Sequence, residues 1–306
     1  MKKLGAAATA LVGLLCLATA ALADGLQRFQ QEVLPKFPKD GLAYESAQPV
    51  GASGFLLTKV VVWDLQQGRP RAKADTLSID KLVVEEIDFD RLALNETPHF
   101  ARLRMEGATL SESQEFGALA RSYGVNESVD VRFEYRFDPA TRVLAVHRLE
   151  IVGPGVSRLL LEMVLDNVRS VAVADREQWM TGVALRSLKL TYEDRSALLE
   201  IVRALAKEMR RSQAAVIREW TATIAAMSLG KGPKTQAAAD GLVSFVQDYR
   251  KPKGPVEIAI VPAKPLPIGG LAASVLGADP AQALGLSVSY AGTRAGAGAA
   301  AAALGK

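Results

Sequence analysis

Residues 129–137 alternate strictly: Val129, Val131, Phe133, Tyr135 and Phe137 fall on one side, Asp130, Arg132, Glu134 and Arg136 on the other. A period of two is the mark of a strand with one buried and one solvated face, the kind antiparallel sheets use. Asp138-Pro139-Ala140-Thr141 follows; its proline presets φ for a turn and its aspartate can bond the backbone ahead. The chain therefore doubles back over residues 143–152, turns at Gly153-Pro154-Gly155 and returns over residues 158–168. Three strands of a meander follow from this stretch alone. Residues 55–64, 76–84 and 100–110 upstream, with 183–193, 256–261 and 284–290 downstream, extend the expectation to about nine strands.

Helical spacing interrupts the strands. Residues 24–36 predict a short helix stopped at Leu34-Pro35, and Ser111 with Gln114 fits a capping box that opens another, ending near Gly124. Asp194 is placed to cap a longer one. Neither Gly nor Pro occurs between Arg195 and Leu229, and Leu198, Val202, Leu205, Met209, Val216, Trp220 and Met227 recur near helical spacing. One rod of that length would reach roughly 50 Å, so a bend or two packed helices is expected. Gly230-Lys231-Gly232-Pro233 breaks the run before a second amphipathic helix carrying Leu242, Val243, Val246 and Tyr249. Asp279-Pro280 opens a last short helix. The fold class is α+β: a curved, mainly antiparallel sheet with an inserted helical hairpin, residues 195–250, packed on one face. Residues 24–292 form the single domain and 293–306 a Gly/Ala-rich tail. The hairpin is expected to act as a lid, with an apolar groove between it and Val131, Phe133, Tyr135 and Phe137.

The first 23 residues change the picture of where this domain works. Lys2 and Lys3 precede an apolar stretch at 11–18, and Ala21-Leu22-Ala23 forms an A-x-A cleavage site. These features favour a removed signal peptide over a retained anchor, and predict export to the periplasm. No other apolar run reaches 18 residues, so no membrane span is expected after cleavage. Removal also takes away Cys16, the one cysteine of the 306-residue chain, and with it any disulfide or thiol chemistry. The net charge of +4 loses the two lysines of this segment, leaving too thin an excess for a nucleic-acid binder.

Candidate chemistry is sparse. His147 shares the alternation of Val143, Ala145, Leu149 and Ile151, but no second histidine or spaced acid accompanies it, so a core histidine is the better reading than a metal ligand. His99 follows Pro98 in a turn and is expected to be exposed. Glu86, Asp88 and Asp90 predict one solvated strand face and lack the frame of a calcium loop. Gly230 to Lys234 departs from a phosphate loop, because Pro233 removes an N–H such a cradle needs. No catalytic motif, metal site or cofactor site is read, so the expectation is a protein that is not an enzyme.

Thr76-Leu-Ser-Ile-Asp-Lys-Leu82, Phe137-Asp-Pro-Ala-Thr-Arg-Val143 and Leu188-Lys-Leu-Thr-Tyr-Glu-Asp194 resemble stretches of uncharacterised exported proteins of Gram-negative bacteria and, more loosely, AsmA-like envelope proteins. The resemblance covers roughly residues 70–202 and implies a β-rich periplasmic protein with lipid handling as its role. The chain is short for that family. Two expectations stand side by side: a cell-envelope protein holding a lipid-like or apolar ligand, or an interaction module whose protein partner docks on a sheet edge.

Overall fold

A computed structural model describes residues 24–37, 41–63, 76–110, 128–169, 182–270 and 279–291. The signal segment, the helix expected from Ser111 and the C-terminal tail lie outside the described residues. Every strand read from the alternation is present, together with three short strands the pattern did not reveal. In chain order they are β1 (Leu42–Ala43), β2 (Ser46–Val50), β3 (Gly54–Trp63), β4 (Thr76–Ile87), β5 (Phe100–Leu110) and β6 (Val129–Asp138). After them come β7 (Val143–Gly153), β8 (Ser157–Asp166), β9 (Ala184–Asp194), β10 (Val256–Ile260), β11 (Leu266–Pro267) and β12 (Leu286–Tyr290). All pair antiparallel in one curved, open sheet of order β1-β3-β4-β5-β6-β7-β8-β9-β10-β12, with β2 on β3 and β11 on β9.

Cross-strand register carries one apolar row through the whole sheet. Leu57 lies opposite Leu82, Leu82 opposite Met105, Met105 opposite Val131 and Val131 opposite Ile151. Ile151 then faces Leu159, Leu159 faces Tyr192, Tyr192 faces Val256 and Val256 faces Tyr290. The other side of the sheet carries ion pairs between neighbouring strands: Lys59 with Asp80 at 2.7 Å, Arg102 with Glu134 at 3.0 Å and Lys189 with Glu257 at 3.4 Å. The sheet is amphipathic from edge to edge, which is what period-two strands produce once aligned.

Two groups of helices cover the apolar side, one near each edge. At the β3 end, α1 (Asp24–Arg28) continues as wider and then tighter turns to Lys36, and its Phe29 ring stacks on Phe55 with centroids 4.4 Å apart. A short α2 (Phe89–Ala93) follows β4. At the far end lie α3 (Ala197–Glu208), α4 (Gln213–Ser228) and α5 (Pro233–Gln247), with α6 (Pro280–Leu284) leading into β12. Phe245 of α5 meets Tyr192 and Tyr290 edge-on at 6.0 and 5.3 Å. The expected hairpin is thus three helices. The break falls where Arg210 takes φ 51° and Ser212 caps α4 by accepting the Ala215 N–H at 3.2 Å. Asp194 caps as expected, accepting the Leu198 N–H at 2.9 Å and the Tyr192 hydroxyl at 3.0 Å, and burial pushes its carboxyl above the usual range.

Among the described residues, no helix makes its main contacts with β6, β7 or β8. α5 sits on β10 and β12, and its buried side chains pack with Val256 and Tyr290. The expected lid over β6 is therefore displaced toward the β12 edge.

Candidate functional site

Between the two covers, the apolar side of β6, β7 and β8 encloses a hollow of about 360 Å³. Phe133, Tyr135 and Phe137 supply one wall, Leu144, Val146 and Leu149 the floor, and Leu161 and Met163 the far side. Alternation puts each wall residue two positions from the next, so three β6 side chains point into the same space. The Phe133 and Tyr135 rings lie 5.3 Å apart at 34°. Val131 shares their face but lies outside the lining. Three of the four residues read from the sequence are brought together, and no residue of α3, α4 or α5 joins them.

Polar groups are few among the described lining residues. The Tyr135 hydroxyl donates to the Pro98 carbonyl at 2.9 Å, and burial, with the Asp88 carboxylate as a smaller contribution, pushes its pKa up to about 12. It is therefore a neutral hydrogen-bond donor across the physiological range. Among the described residues, Arg169 is the one charged member of the lining, and it is exposed. A hollow of this size, apolar with a few placed polar groups, is the ordinary form of a small-molecule site.

The β7 and β8 residues escaped the sequence reading for two reasons. A bulge at His147 shifts the register of β7, so that Tyr135 faces Val146 while Glu134 faces Arg148. The bulge turns His147 to the exposed side, correcting its expected place among Val143, Ala145, Leu149 and Ile151. Strand β8 has a second difficulty: Leu159-Leu160-Leu161 is apolar on both faces, and a continuous run hides which residues point inward.

Other expectations also change. His99 is half-buried, its ring meeting Phe137 edge-on at 5.2 Å, and its Nε2 is buried without a hydrogen-bond partner. The expected acidic strand face does not form, because β4 ends at Ile87. Asp88 is buried and caps α2, accepting N–H groups from Arg91 at 3.4 Å and His99 at 3.0 Å. Asp90 pairs with Arg28 at 2.7 Å and Glu86 with Arg136 at 3.2 Å. Among the described residues no cluster of three His, Cys, Asp or Glu is arranged to hold a metal. No described helix is long and apolar enough to cross a membrane.

Residues 150–291 match a family model described as "Uncharacterized protein". No curated protein matches the chain. The matched stretch runs from late β7 to the end of β12 and takes in all three helices of the far cover. It includes Leu161, Met163, Val168 and Arg169 of the hollow and excludes Phe133, Tyr135 and Phe137, so the hollow straddles its boundary.

Proposed function

We propose that this protein is an exported, periplasmic, non-catalytic binder that holds an apolar or lipid-like molecule against β6, β7 and β8. The observation that carries this reading is the gap between the two helical covers, filled by a hollow whose described walls are almost wholly hydrocarbon and aromatic. Side chains of this kind offer contact area and exclusion of water, and Tyr135, the titratable hydroxyl among them, is committed to Pro98. The AsmA-like resemblance of the turn-and-strand stretches belongs to the same reading. Export rests on the charged, apolar and A-x-A pattern of residues 1–23.

Native mass spectrometry of the purified protein, with organic extraction of any adduct, tests the reading together with Phe133→Ala. A ring lining a ligand site loses only part of its burial on truncation. The variant is expected to cost about 1–2 kcal/mol rather than the 3–5 kcal/mol of a packed phenylalanine, and to release the adduct. No adduct from any preparation, with the full packed-core loss on truncation, overturns the proposal.

A further inference from the structure

A second hollow of about 320 Å³ adjoins the first, sharing Phe137, Val168 and Arg169 and adding Pro139 and Arg142. The Val168 N–H donates to the Arg142 carbonyl at 3.0 Å, which ties the β6–β7 turn to the chain leaving β8 and sets Arg142 and Arg169 at one rim. Both residues are exposed, and neither has an ion-pair partner among the described residues. The sheet's opposite face behaves differently, since Arg102, Arg136 and Arg158 there are each matched to a carboxylate.

We infer that the ligand is a single-chain anionic amphiphile whose tail fills the aromatic hollow and whose carboxylate or phosphate lies between Arg142 and Arg169. The inference rests on the proposed binding function and names its ligand class. A guanidinium presents parallel N–H donors that match either oxyanion, and two of them line the second hollow, Arg169 being shared with the first. The main hollow lies at the low end of the roughly 300–1,000 Å³ range of ligand sites, which suits one chain rather than two.

The purified chain is titrated calorimetrically with oleate, with a one-chain lysophosphatidate and with methyl oleate, each below its micelle threshold, at low and high salt. Oleate, lysophosphatidate or both are expected to bind about tenfold more tightly than the ester, with the preference between them identifying the oxyanion. Salt weakens the anions alone. Arg142→Ala and Arg169→Ala each weaken the anions about five- to tenfold, leave the ester unchanged and melt like the parent. If ester and anions bind alike, and the double variant keeps its affinity for oleate, the headgroup site is overturned while the apolar site stands. If none of the three binds, the proposed function itself falls.

Discussion

Single side chains on the polar side of the sheet differ in what they hold. Glu150 is buried to 5% exposure, with Arg158 Nε at 2.6 Å and the guanidinium groups of Arg132 and Arg148 at 3.7 and 3.9 Å. Removing Arg158 leaves a buried carboxylate short of its one close donor. The Arg136 pair with Glu86 is more open, 56% exposed on the arginine side, with a face contact to Phe100 at 5.5 Å. Desolvation decides between them: an exposed charge left alone is taken up by water, a buried one is not. Arg158→Ala is therefore expected to cost about 1–3 kcal/mol and Arg136→Ala no more than about 1 kcal/mol, read from thermal melts of both. The reverse order would mean that Arg132 and Arg148 compensate Glu150 once Arg158 is gone.

At the scale of elements, local chain chemistry explains most boundaries. Gly285 at φ 60° ends α6, and a Cβ there would collide with the Val261 carbonyl, so strand β12 begins at Leu286 rather than at Leu284 as the alternation predicts. The α3–α4 break is one of the two outcomes the length of the run predicts, two packed helices rather than a bend, but no glycine or proline marks its position. Arg210 takes up the left-handed conformation that lets α4 fold back, with the Arg211 N–H donating to the Ala206 carbonyl at 2.9 Å. A non-glycine residue held there is strained, and Arg210 is exposed. Arg210→Gly is expected to stabilise the chain by about 0.5–1 kcal/mol, the relief of strain exceeding the entropy glycine adds to the unfolded state. Differential scanning calorimetry checks this; a fall in Tm would show that the break depends on the arginine itself.

Over the described residues, one amphipathic sheet carries helices near both edges, with an apolar hollow on β6, β7 and β8 between them. Export is the property of the molecule that the fold leaves open. Expressed from its full gene in a Gram-negative host, the chain is expected in the periplasmic fraction with an intact mass beginning at Asp24. Recovery in the membrane fraction with residues 1–23 attached would make it an anchored protein, and the hollow would then work at a membrane surface.

The alternation in β6, the turn at Asp138-Pro139 and the cap at Asp194 were legible because each depends on residues within a few positions of one another. They determined the strands, their antiparallel sense, the amphipathic sheet and the inward face that holds Phe133, Tyr135 and Phe137. The bulge that expels His147, the inward choice among the leucines of β8 and the shift of α5 away from β6 depend instead on the register of partner strands and on what remains uncovered. So does the placing of Arg142 and Arg169 on one hollow, separated in the chain by the whole of β7 and β8. A period of two is a property of the backbone and can be read locally; which part of an apolar face stays open is set only when distant elements compete to cover it.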